Sequence, residues 1–160
     1  MTTFVRALLN KNETNESQAS LRNKFDALAT KHVALAKQAQ LGQGVDRHLF
    51  CLYIICYALG LKSQFLEKFS NIKWGLSTSQ TPSYQLQECF EAAKKTGIIG
   101  AGGGFGPVDD NGYGVSYIIL GDNAVFYHVS SCKHSESTDS KRFSGHIKTA
   151  LRMLKECLSG

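Results

Sequence analysis

Two runs rich in β-branched and aromatic residues, 113–120 and 124–131, are separated only by Gly121-Asp122-Asn123. A connection that short joins its strands as a hairpin, so this stretch must enter a sheet. What covers the sheet has to come from elsewhere in the chain, where the periodicity is helical. Leu21, Phe25, Leu28, Leu35 and Ala39 recur at spacings of three, four or their sum, marking one face of an amphipathic helix from residue 21 that Gly42 and Gly44 end. Asp46 is placed to cap a second helix, in which Leu49, Phe50, Leu52, Tyr53, Ile54, Ile55 and Leu59 surround the axis instead of forming a stripe. Such a helix is expected to be buried. A shorter amphipathic turn carries Phe65, Leu66 and Phe69, and Leu76 to Gln80 reads as a strand ahead of Pro82, which favours extended backbone at Thr81. Thr138 or Asp139 can cap a final helix whose Phe143, Ile147, Leu151, Leu154 and Leu158 step by four or three residues. The order is two helices, a strand, a hairpin and a helix.

Composition narrows the class. Of 160 residues 42% are hydrophobic and only 2 are proline, which fits one soluble globular domain and excludes disorder and collagen-like repetition. Residues 1–9 look like the tail of an element whose beginning is missing, and 10–20 form a polar linker. Residues 1–20 are therefore expected to be a truncated start, with 21–160 as the globular part. Eighteen basic against thirteen acidic residues suit an anionic partner such as a phosphate-bearing cofactor, without the dense basic stripe of a nucleic-acid binder. Five scattered cysteines do not form a secreted disulfide pattern and favour a reducing compartment. The longest strongly apolar run, Leu49 to Leu61, is too short to cross a bilayer, so no membrane span is expected in this segment.

Several residue groups invite chemistry. The cluster Gly100-Ala101-Gly102-Gly103-Gly104-Phe105-Gly106-Pro107 suggests a phosphate loop, but its spacing matches neither GxxxxGK[ST] nor GxGxxG. Its glycines either leave room beside the backbone for something else or simply form a flexible loop. His128, Cys132 and His134 could be metal ligands, yet a fourth has no obvious source and no metal is expected. His48 could act as a general base only opposite a nucleophile, and a buried histidine bonded to a neighbour is commoner. A nucleophilic pair built on Cys132 and His134 is a weaker option still, since five cysteines and five histidines allow many such pairs. In Ser77-Thr78-Ser79-Gln80 strand alternation puts Ser77 and Ser79 on one face and Thr78 and Gln80 on the other. Two hydroxyls on a rigid strand can stabilise an oxyanion, or belong to an ordinary Ser/Thr-rich strand.

Four segments taken in order, Val45-Asp46-Arg47-His48-Leu49-Phe50-Cys51-Leu52-Tyr53, Leu76-Ser77-Thr78-Ser79-Gln80-Thr81-Pro82, Gly102-Gly103-Gly104-Phe105-Gly106-Pro107-Val108 and Asp110-Asn111-Gly112-Tyr113-Gly114-Val115-Ser116-Tyr117, resemble the choline/carnitine acyltransferase family. Within it they look most like the palmitoyl-transferring branch of the mitochondrial outer membrane. The resemblance implies an α/β fold, a mixed sheet flanked by helices, as the C-terminal portion of a chloramphenicol-acetyltransferase-like, CoA-dependent acyltransferase domain, working on the cytosolic face of that membrane. Its substrates would be carnitine and acyl-CoA, with CoA as co-substrate and no permanently bound cofactor. It also implies a division of labour. The family's general-base histidine lies upstream and has no counterpart among His32, His48, His128, His134 or His146, so this chain alone is expected to be inactive without the N-terminal portion. Ser79 matches the serine that stabilises the oxyanion and touches carnitine, Ser77 the serine near the trimethylammonium group, Gln80 a CoA contact and Phe105 an aromatic beside the ammonium. Gly103 matches the gate of the acyl pocket, where a missing side chain leaves volume for long acyl groups. The competing expectation is a non-catalytic remnant that binds CoA, carnitine or an acyltransferase partner.

Overall fold

A computed structural model describes residues 2–10, 17–82, 95, 103–120 and 124–159. The chain divides into two compact units, residues 1–72 with 150–160, and residues 73–149.

The first unit is helical: α1 (Thr2–Leu9), α2 (Gln18–Gln40), α3 (Val45–Ala58), α4 (Gln64–Ser70) and the last turns of α5 (Ser140–Leu158). Ser17 starts α2 in extended conformation, its hydroxyl accepting the Ser20 N–H at 3.2 Å. The helix thus begins ahead of the predicted Leu21, because the cap and not the first apolar residue sets its start. At its end the Gln43 N–H donates to Gln38 O (2.9 Å) and the Gly42 N–H to Ala39 O (3.1 Å). Gly42 sits at φ 75°, which closes a Schellman motif that only a residue tolerant of left-handed backbone can make. Gly44, not Asp46, is the N-cap of α3, and it makes no side-chain cap. Asp46 lies within the first turn, where its charge still favours the positive end of the helix dipole.

The expected burial of α3 is not found. None of its residues is buried; Phe50 is 59% exposed and Ile55 52%. A helix apolar on every side needs partners on every side, and among the described residues the element that packs most closely on it is the seven-residue α4. The Ser63 hydroxyl caps α4 through the Leu66 N–H, and Leu66 is buried. Leu21, fully buried, and Phe4 join the core of this unit, with the Phe4 and Phe25 ring centroids 5.9 Å apart. At the end of α5 the Gln18 amide donates to Glu156 O and Cys157 O, and the Arg22 guanidinium to Leu158 O at 2.8 Å. Those carbonyls have no partner within their own helix, so α2 satisfies them.

The second unit holds the sheet, in the order β1 (Leu76–Gln80), β2 (Tyr113–Leu120), β3 (Ala124–Ser130). β1 runs parallel to β2, and β2 antiparallel to β3. This is the predicted mixed sheet, with β3 one residue shorter than expected; the turn at Gly121-Asp122-Asn123 lies outside the described residues. α5 opens on Asp139, whose carboxylate accepts the Arg142 N–H at 2.9 Å. The Thr138 hydroxyl, the other candidate cap, is buried without a hydrogen-bond partner among the described residues. Phe143 stacks on Tyr113 at 4.4 Å, and the Tyr127 hydroxyl donates to Ser144 O. Tyr113 and Tyr127 belong to the odd-numbered set of their strands, so the first half of α5 covers that face. On the other face Ile118 and Leu120 are buried.

Candidate functional site

Sheet register builds the candidate site. Ser77 pairs with Gly114 and Gly114 with Ser130; Ser79 pairs with Ser116 and Ser116 with His128. Residues paired across strands point to the same side, so these two rows share the face opposite α5. On that face lies the segment 103–107. The Ser116 hydroxyl and the His128 Nδ1–H (3.2 Å) both donate to Gly103 O, and the Ser130 hydroxyl donates to Phe105 O. The carbonyl can only accept, which makes Nδ1 the protonated nitrogen of His128. Ser116 is 7% exposed, and this bond satisfies its hydroxyl.

The close approach depends on Gly114. A Cβ there would stand 2.8 Å from Phe105 O, 3.0 Å from Gly106 O and 2.6 Å from the Ser130 hydroxyl. At Gly103, by contrast, a Cβ would meet nothing within 4 Å among the described residues. Ser77, Ser79 and the segment carrying Gly103 and Phe105 therefore share one face. Ser77 and Phe105 are half-buried, and Ser79 and Gly103 exposed. Gln80 pairs with Tyr117 and alternates to the opposite face, as the strand period requires. Sequence reasoning missed Gly114, Ser116, His128 and Ser130 as the groups that hold the segment. Their signal was a glycine and a serine two apart within the β-rich run 113–120. The residues Gly100, Ala101 and Gly102 lie outside the described ones.

Other candidates resolve differently. His48 is exposed on α3, not buried among neighbours as expected, because α3 itself is not covered. His128 bonds to Gly103 O. The Cys132 thiol instead donates to Asp110 Oδ1 at 3.6 Å, and His134 Nε2 lies 3.7 Å from Asp110 Oδ2. Partial desolvation, the bond to Asp110 and the negative charge of Asp110 and Asp109 push the Cys132 thiol up. A nucleophilic cysteine is favoured by the opposite shift, so these surroundings do not favour a thiolate at Cys132.

Residues 1–149 match the family model described as Choline/Carnitine o-acyltransferase. The chain belongs to this family. It is 45% identical over 150 residues to the muscle isoform of human carnitine O-palmitoyltransferase 1, covering 94% of this chain and 19% of that protein. To the human liver isoform it is 43% identical over 148 residues, 92% of this chain and 19% of the relative. A putative mitochondrial carnitine O-acetyltransferase of Saccharomyces cerevisiae is 30% identical over 149 residues, again 92% of this chain and 19% of its own length. The chain thus spans about a fifth of the length of these relatives. The α/β architecture is that of a CoA-dependent acyltransferase, as the four ordered motifs imply.

Proposed function

We propose that this chain supplies one wall of the active site of a carnitine O-acyltransferase that moves a long-chain acyl group between coenzyme A and the carnitine hydroxyl. The observation that carries it is the register that sets Ser77 and Ser79 on the same face as the segment holding Gly103 and Phe105. In the forward reaction the carnitine hydroxyl loses its proton to a histidine base from the remainder of the enzyme and attacks the thioester carbonyl. The Ser79 hydroxyl donates to the oxyanion that forms. Collapse expels the CoA thiolate, which takes the proton back from the imidazolium. A donor already fixed on a strand needs no reorganisation as the charge develops.

Ser77 and Phe105 hold the trimethylammonium end of carnitine, where the ring face attracts a cation that cannot donate a hydrogen bond. Gln80 ends β1 with an exposed amide that can bond to CoA from the opposite side of the strand. At Gly103, where a Cβ would meet nothing within 4 Å among the described residues, the missing side chain leaves room for extra methylenes, each worth roughly 0.8 kcal/mol when buried. No metal enters this scheme. Among the described residues no helix is long and apolar enough to cross a membrane. We place the parent enzyme at the cytosolic face of the mitochondrial outer membrane, by its likeness to the palmitoyl-transferring branch. Thiol release from palmitoyl-CoA and carnitine tests the proposal. The chain alone is expected to be silent, and mixing it with an acyltransferase portion that carries the histidine is expected to give turnover. Ser79→Ala in that mixture should lower kcat on the order of 10²-fold with carnitine KM little changed. A rate equal to the parent's would remove Ser79 from the mechanism, and a silent mixture of folded partners would leave a non-catalytic remnant.

A further inference from the structure

Two loops far apart in sequence meet beside the sheet, and their side chains match a metal's needs better than a substrate's. We propose that Asp110, Cys132 and His134 form a binding site for a divalent transition metal, with Zn²⁺ the ion they fit. One ligand atom from each lies within 4.8 Å of the other two. Tetrahedral zinc, with bonds of about 2.0–2.3 Å, separates its ligand atoms by roughly 3.3–3.7 Å. Cys132 Sγ lies 3.6 Å from Asp110 Oδ1 and His134 Nε2 3.7 Å from Asp110 Oδ2, so the thiol and the imidazole flank the two oxygens of one carboxylate. A rotation of the exposed Asp110 carboxylate that presents one oxygen to both, with a modest closure between Cys132 and His134, completes the triangle.

The donor set argues for the same ion. One thiolate, one imidazole and one carboxylate suit a borderline-soft cation, whereas Mg²⁺ or Ca²⁺ would call for oxygen alone. Three protein ligands leave the fourth position to water. The side chains of Asp110 and His134 are largely exposed, so an ion reaches them without opening the fold. On binding, the Cys132 thiol proton passes to solvent and the sulfur binds as thiolate.

The loops are tied together independently of the three ligands. Asn111 Oδ1 accepts the hydroxyls of Ser135 (3.0 Å) and Ser137 (3.2 Å), joining the loop that carries Asp110 to the one that carries Cys132 and His134. The Ser135 N–H donates to Cys132 O and closes the turn through Lys133 and His134. Asp109 accepts the Asn111 N–H at 2.9 Å and pairs with Lys73 at 3.8 Å, which leaves its neighbour Asp110 to face the thiol and the imidazole. Supporting bonds of this kind hold first ligands in place before an ion arrives. A metal here would fasten the end of β3 to the loop that follows Gly103–Pro107. The site is independent of the acyl-transfer proposal and can be tested without turnover.

The test is titration of the chelator-treated, reduced chain with Co²⁺ as a spectroscopic stand-in for zinc. The expected result is one saturable site per chain, with a thiolate-to-cobalt charge-transfer band and tetrahedral d–d bands that added Zn²⁺ removes. Cys132→Ser should abolish the charge-transfer band, and His134→Ala and Asp110→Asn should each weaken binding by at least about tenfold. Cys51→Ser, which removes an exposed thiol on α3, should leave the spectrum unchanged. Charge transfer that survives Cys132→Ser, or affinity that neither His134→Ala nor Asp110→Asn alters, would overturn the proposal. So would the absence of a saturable band, which would leave the three residues as a hydrogen-bonded surface cluster.

Discussion

Two glycines with opposite surroundings decide how the candidate site tolerates change. At Gly114 an added Cβ collides with two backbone carbonyls, Phe105 O and Gly106 O, that cannot rotate away as a side-chain tip can. Gly114→Ala should therefore push segment 103–107 off the sheet and break the bond from Ser130 to Phe105 O. The expected cost is about 2 kcal/mol, read as a lower urea midpoint with the m-value unchanged. Gly103→Met should leave that midpoint where it is, since its Cβ meets nothing within 4 Å among the described residues. In the reconstituted acyl-transfer assay the same change should shift preference from palmitoyl toward acetyl groups. An unchanged preference would detach Gly103 from the acyl pocket. The sequence pointed to Gly103 through its motif but not to Gly114. The need for a bare backbone at 114 arises from a contact with residue 105, which no local pattern encodes.

Elements were legible where local chemistry fixes them. β1 has the predicted bounds, and α2 ends at the predicted glycine because a left-handed turn is a local demand. The starts of α3 and α5 were less clear, since the sequence offers a side-chain cap within a residue or two of each true one. For α5 the structure selects Asp139. Its carboxyl is held below the usual carboxylate range chiefly by the Arg142 N–H, helped by Lys141 and the charges of both residues. A carboxylate whose folded pKa is lowered stabilises the fold above its unfolded pKa, and that contribution fades as pH falls through the folded value. Melting temperature measured from about pH 5 to about pH 2 should thus lose a component that Asp139→Asn lacks. Asp139→Ala, which removes the acceptor altogether, should melt lower than the parent already at neutral pH. Equal melting curves for parent and Asp139→Ala would deny the cap a role in holding α5 on the sheet.

At the scale of the whole molecule the failed expectation is the informative one. Apolar residues around the entire axis of α3 led to an expectation of burial that the structure does not bear out, because burial is a property of what surrounds a helix. Phe50 (59% exposed), Ile54 (46%) and Tyr57 (80%) lie at spacings of four and three, so they form one continuous stripe. Most of the length of the relatives lies outside the stretch this chain matches. We expect the acyltransferase portion used for reconstitution to cover that stripe. Hiding the exposed half of each of two large side chains is worth about 1 kcal/mol apiece. Changing Phe50 and Ile54 together to serine should then weaken association by roughly 30-fold, as measured by titration calorimetry. The chain alone should bind a hydrophobic dye such as ANS, lose that signal on adding the acyltransferase portion, and bind less dye as the double variant. Serine on an exposed helix surface should barely disturb the fold, so a loss of affinity with an unchanged far-UV spectrum would assign the effect to the interface. If the double variant binds as tightly as the parent, α3 is not where the two portions meet.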